Sequence, residues 1–296
     1  MKINKDWIVS SLLLFWAPRL FLVVVGLATL NLIWLYPAVL NVQNAASILA
    51  LETTDRLRLA ITSYLEIALS EVNKASHEIA VEPERRVIVL NRLLRGNSGF
   101  RETALVGADG RETLRIDRFR LVHEGDLRDH SDAAYFRESL IATANFGDVF
   151  VTPEGEPHVI LASPVSHLGS INGVLLAHLN LRSVVPVIKD LRVEQGVVKV
   201  VDREGFLIVT PDITELLKRP NLLERPPVRK VIVDGITVNG LAREDLLYNE
   251  EGQALFTVGL PLLVNGWGIF FEQPRTQAFA GERIVITLAI VTSLLG

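Results

Sequence analysis

The chain contains no cysteine, so a disulfide framework, a thiolate nucleophile and a cysteine-based metal site are all excluded. It also lacks a dominant charge sign: 30 Lys and Arg face 34 Asp and Glu, for a net charge of -4. Without a basic stripe or repeated Lys/Arg cluster, the electrostatic footprint of a nucleic-acid binder is missing, and no DNA or RNA partner is expected. Catalytic motifs are missing as well. His77-Glu78 begins like a zinc-protease motif, but Val81 stands where the second histidine belongs. Gly96-Asn97-Ser98-Gly99 is not a nucleophile elbow, and no glycine-rich phosphate loop follows a strand. Asp109 and Asp202 fall in turn sequences, where capping of the backbone accounts for them. No catalytic residue, metal or cofactor is therefore expected.

What is abundant is apolar residue, 49% of the 296 positions, more than a water-soluble domain of this size needs. The uncharged run LFLVVVGLATLNLIWLY at 20–36, extended by Val39 and Leu40, approaches the roughly 20 residues that span a bilayer. Lys2, Lys5 and Arg19 precede it and no Lys or Arg follows until Arg56, which places the N-terminus in the cytoplasm and the following domain outside. A cleaved signal peptide is the competing interpretation, but no clear small-residue cleavage site precedes Asn41. Beyond Arg283 the run IVITLAIVTSLLG is again uncharged but too short to cross about 30 Å of hydrocarbon. It is expected to be the start of a second membrane helix that leads into a cytoplasmic part.

Between these segments the sequence repeats. ALVGADGRETLRI around Gly110 and VVKVVDREGFLIV around Gly205 each read as strand, turn, strand. Gly205 lies 95 residues after Gly110, and Gly268 lies 95 after Gly173, each of the latter opening an apolar strand. Pro164 and Pro261 correspond with a two-residue slip. Landmarks recurring in order at one spacing predict two tandem copies of one module. Each copy reads hairpin, helical middle near DAAYFRESLIATA or DITELLKR, then further strands, an α+β sandwich with an antiparallel sheet. Before the first copy, 41–81 has no Gly or Pro, and Ile48, Leu51, Leu57, Ile61, Leu65, Ala68, Val72 and Ile79 recur at helical spacing. A helix of that length reaches about 60 Å and suits a dimer seam and mechanical link, or a stripe packed on its own sheets. The expected organisation is residues 1–40 as N-terminus and first membrane helix, 41–82 as long helix, 83–182 and 183–273 as membrane-distal and membrane-proximal modules, and 274–296 as the start of the second membrane helix.

This arrangement resembles the double Cache sensor domains of bacterial histidine kinases and chemoreceptors over roughly 41–273. The residues that carry the likeness are Asp-Ala-Ala-Tyr-Phe-Arg at 132–137, Ala-Ser-Pro-Val at 162–165, Gly-Val-Leu-Leu-Ala-His-Leu-Asn-Leu at 173–181 and Asp-Arg-Glu-Gly-Phe-Leu-Ile-Val-Thr-Pro-Asp at 202–212. The resemblance implies tandem PAS-like modules, a small-molecule pocket in the distal copy, and a homodimer in the bacterial inner membrane with its sensing domain periplasmic. The family's amino-acid sensors are similar around Tyr135 and Phe136, but Ala133 stands where they carry an Arg and the Trp of their Trp-Tyr pair is missing. The residue aligned with their amine-binding Asp is His178, and without that carboxylate an α-ammonium group loses its partner. Arg118, Arg120 and Arg128, with His158 and His178, suit a carboxylate ligand instead, because guanidinium forks match carboxylate geometry. Tyr135 is placed to close the pocket. Against these stand ordinary surface charge for the arginines, solvent exposure for His158 and a satisfied core histidine for His178. A histidine kinase input is the leading expectation, with a chemoreceptor, a diguanylate cyclase or a ligand-free interaction domain as alternatives.

Overall fold

The structure is a computed structural model that describes residues 5–141, 143–190, 196–249 and 252–295. Its spine is α1, a single helix over Lys5–Val81 of 77 residues, about 115 Å at 1.5 Å per residue. Its buried stripe is Ala50, Leu57, Ile61, Leu65, Ala68, Val72 and Ile79, the expected helical stripe packed on the chain's own sheets, with one correction. Ile48 is 65% exposed, because the core-facing row begins at Ser47 and Ala50 and leaves Ile48 on the opposite side of the helix.

After α2 (Arg86–Gly96) come β1 (Phe100–Gly107), β2 (Glu112–Asp117), α3 (Ala134–Ser139), β3 (Asn145–Val151), β4 (Pro157–His167) and β5 (Ser170–Asn180). A link through α4 (Val184–Asp190) leads to β6 (Val197–Val201), β7 (Leu207–Val209), α5 (Ile213–Lys218), α6 (Pro226–Ile232), β8 (Leu247–Tyr248), β9 (Ala254–Pro261) and β10 (Gly268–Pro274). The chain ends in α7 (Arg275–Ala278) and α8 (Ala280–Leu295). The first sheet runs β2-β1-β5-β4-β3 and the second β7-β6-β10-β9-β8. Every strand pair is antiparallel, and the two five-stranded orders are the same order one copy later.

The repeat extends to the turns. Gly110 and Gly205 both sit at positive φ, 86° and 89°, where a Cβ is strained. In each copy the turn's carbonyl accepts a hydrogen bond from the returning loop: His130 N–H to Gly110 and Leu222 N–H to Gly205, both 2.7 Å. A side chain at either position would also strike that loop, Ser131 in one copy and Leu223 in the other.

Alternation along the strands divides each sheet into two faces. One face of both, including Val159, Leu161, Leu175 and Leu179 of the first and Val198, Val200, Phe256 and Ile269 of the second, joins the α1 stripe in one continuous core. The outer faces carry separate smaller clusters: Ala104, Ile160, Leu176 and Phe136 in the first module, and Val201, Leu207, Val228 and Phe270 in the second. Polar side chains reach across as well, with Ser163 of β4 bonding Ser76 at 2.8 Å and Asn73 at 3.0 Å on α1.

The apolar run at 20–36 lies on the N-terminal half of α1, where several side chains are outside the described residues. Among the described residues no helix is long and apolar enough to cross a membrane, so a membrane anchor rests on the sequence pattern. Early α1 and α8 lie side by side: Gln43 Nε2 donates to Glu282 Oε1 at 2.6 Å.

Candidate functional site

The outer face of the first sheet carries a buried ionic cluster. Glu102 on β1 stands opposite His178 on β5, and His178 stands opposite Ile160 on β4. The Glu102 carboxylate lies 3.0 Å from His178 Nδ1 and accepts from Arg128 Nη1 at 3.1 Å. Beside it, Glu112 of β2 takes the Arg115 guanidinium, the Arg128 backbone N–H at 3.0 Å and His130 Nε2 at 2.7 Å. His130 Nδ1 meets the Tyr135 hydroxyl at 2.7 Å. Tyr135 stands on the first turn of α3, and its ring packs on Gly147 of β3 so closely that a Cβ there would lie 3.0 Å from it. Phe150, also on β3, lies 5.7 Å from the His158 ring and 5.0 Å, edge-on, from the His178 ring.

Burial sets the protonation of this cluster. It holds His178 well below its ordinary 6.5, with the Arg128 charge adding to the effect. The buried imidazole is therefore neutral near pH 7. Burial likewise lowers His158, against a smaller opposing pull from Glu156, whose carboxylate is 3.8 Å away. The His158 side chain is 2% exposed, and neither of its ring nitrogens has a hydrogen-bond partner in the protein. For Glu112 burial alone would raise the carboxyl, but the hydrogen bonds from His130, Arg128 and Arg115 outweigh it and hold the group below 4.5. Burial raises Tyr135 above 10.0, so the phenol keeps the proton it donates to His130.

Of the six residues singled out from sequence, the fold gathers four, Arg128, Tyr135, His158 and His178, around Glu102 and Phe150. Arg118 is elsewhere. Its guanidinium donates to the carbonyls of Phe100 at 2.9 Å, Asn97 at 2.8 Å and Leu94, tying the end of α2 to the sheet. Arg120 is a surface residue, 62% exposed, 3.4 Å from Asp117. Glu102, Glu112, Arg115 and His130 escaped sequence reasoning. Glu102 had a signal: it shares a strand face with Ala104 and Val106, both buried, and a charge in such a row is either paired or functional. Among the described residues no group of His, Cys, Asp and Glu is arranged to hold a metal ion.

No protein-family model matches the chain, and no curated protein matches it in sequence. Solved structures do match. The ligand-binding domain of the Pseudomonas aeruginosa PAO1 amino-acid chemoreceptor PctB, in complex with L-Arg, is 20% identical and superposes with a TM-score of 0.58 over 77% of this chain and 95% of that one. The ligand-binding domain of the Pseudomonas fluorescens chemoreceptor CtaA, in complex with L-leucine, is 17% identical, with a TM-score of 0.55 over 81% and 97%. That of the Campylobacter jejuni chemoreceptor Tlp3, in complex with L-valine, is 11% identical, with a TM-score of 0.60 over 82% and 98%. At these identities the likeness is one of fold. The chain has the double Cache sensor fold, two tandem PAS-like sheets on one long helix.

Proposed function

We propose that the chain is the extracytoplasmic input region of a transmembrane receptor, and that its distal module binds a small zwitterion between Glu102 and Arg128. The observation that carries this is the position of Glu102. From sequence, His178 removes the carboxylate that would hold an amine; in the fold, Glu102 on the neighbouring strand stands 3.0 Å from His178 and supplies one. Arg128, 46% exposed, offers a guanidinium fork to a carboxylate at the mouth of the cluster. His158, buried and without a partner, is a further polar contact for the ligand body. The fold neighbours, solved in complex with L-Arg, L-leucine and L-valine, support an amino acid as the ligand class. The limits proposed for the modules remain 83–182 and 183–273.

Binding exchanges the internal Arg128–Glu102 pair for two ligand contacts, and it signals only if two packings of the module differ in affinity. The apolar surface of early α1 and α8, where Phe21, Leu22, Leu30, Ile33, Ile284 and Leu288 are each more than half exposed, supports a lipid-facing pair of helices and an inner-membrane location. For the output, chemoreceptor neighbours favour a chemoreceptor signalling rod at least as well as a histidine kinase. The test is thermal stabilisation of the solubilised chain by a panel of L-amino acids, each beside its amine-only and acid-only analogue. An amino acid should stabilise the chain while both analogues fail, and Arg128→Gln and Glu102→Gln should each weaken binding about tenfold or more. A ligand whose affinity neither substitution changes would place recognition elsewhere.

A further inference from the structure

The second module carries its own polar cluster on the same outer face, and here it opens onto a cavity of 720 Å³ bounded by β6, β10, α5 and the β8–β9 hairpin. That volume lies within the roughly 300–1,000 Å³ of small-molecule sites. At its floor Lys199 of β6, its side chain 9% exposed, donates to Glu215 of α5 at 2.7 Å and to Glu272 of β10 at 2.9 Å. An ammonium has three protons, so one remains for the cavity. The carboxylates in the wall are already engaged: Glu215 and Glu272 hold Lys199, and Asp212 caps α5 by accepting from the Thr214 and Glu215 N–H groups at 2.8 and 3.3 Å.

Arg225 is different. It lines the cavity, its side chain is 36% exposed and its ion pair with Glu272 through Nη1 is 3.5 Å long, so guanidinium N–H donors remain for a guest. Arg225 and Lys199 thus turn N–H donors toward the cavity they line, which suits an acceptor-rich guest. Val197 and Leu255 add apolar surface beside them, suited to a short aliphatic body.

We infer that this cavity is a second ligand site, in the membrane-proximal module, that takes a small organic carboxylate on the Arg225 guanidinium and the remaining Lys199 proton. It is independent of the distal site, so the chain carries two inputs of different chemistry, a zwitterion above and an organic acid below. Occupancy would bear on β10, which runs directly into α7 and α8.

The experiment is calorimetric titration of the solubilised full chain with linear mono- and dicarboxylates from acetate to adipate, with butanamide as the uncharged control. At least one acid should bind while butanamide does not. Arg225→Gln should weaken that binding about tenfold or more, and Arg225→Lys should recover only part of it, because the charge returns without the fork. Arg128→Gln, in the distal cluster, should leave it unchanged. The proposal falls if no acid of the series binds at millimolar concentration, or if Arg225→Gln binds as well as wild type. It also falls if Arg128→Gln abolishes the binding, since the acid would then occupy the distal cluster.

Discussion

The two modules have one strand order and one buried face, yet opposite outer faces. The distal face is closed: Glu102, Glu112, Arg115, His130 and His178 are all buried, and Arg128 links the Glu102 group to the Glu112 group. The proximal face is open, with Lys199 and Glu272 at the bottom of a cavity. Since the topology is shared, the difference resides in side chains. The two copies share one platform, and residue choice gave one a closed ionic cluster and the other an open cavity.

The sharpest way to break that comparison is to remove one carboxylate from each face. Glu112→Ala leaves the Arg115 side chain, 2% exposed, without its partner, and the loss of one member of a buried pair costs about 3–5 kcal/mol. Glu272→Ala is milder because Lys199 keeps Glu215 at 2.7 Å and the cavity admits water, so about 1.5–3 kcal/mol is expected. Urea unfolding of the two variants measures both. Equal losses would mean that the proximal face is as closed as the distal one.

How far this contrast can be read from the sequence depends on the range of each interaction. The repeat was legible because its signals are local: a positive φ needs a glycine at 110 and 205, and strand alternation repeats every second residue. The stripe on α1 was legible for the same reason, apart from Ile48 at its edge. The distal cluster was only half legible. Arg128, Tyr135, His158 and His178 stood out by type, but Glu102 acquires its role from pairing with β5 far along the chain. His130 acquires its role from the loop that folds back on Gly110. Arg118 looked the same as Arg128 in sequence, and only the path of α2 commits it to backbone carbonyls. The proximal site was not anticipated at all, because Lys199 and Glu272 read as ordinary alternating strand residues until a helix covers only part of them.

A smaller effect follows from titration. All six histidines precede Leu179, so any histidine-linked pH dependence belongs to the distal side of the comparison. His158 and His178 have folded-state pKa values below their ordinary 6.5. Between the folded and unfolded values the unfolded chain binds more protons, so stability falls as pH drops below about 6.5 and is fully present above it. Glu112, held below 4.5, adds a second loss as pH falls through its own folded value. The melting temperature should therefore decline from pH 7.5 to pH 5.5, and His178→Asn should flatten the decline. A profile that is flat in the wild type, or unchanged by the substitution, would contradict a neutral buried His178.

The smallest expected effect lies where the modules meet. Asp148 of β3 pairs with Arg203 of the β6–β7 turn, the two side chains being 63% and 55% exposed, and Asn265 Nδ2 donates to the Gly147 carbonyl at 3.1 Å. An exposed pair of this kind is worth about 0.2–1 kcal/mol and is screened by salt. A double-mutant cycle of Asp148→Asn with Arg203→Gln should give a coupling in that range that vanishes at high ionic strength. A larger or salt-resistant coupling would make this junction, next to Gly147 and hence to Tyr135, a structural hinge in its own right. The expected small value leaves α1 as the principal mechanical connection, because its buried stripe packs on both sheets in one core. Two sheets whose outer faces differ in closure then share the same helix through their inner faces.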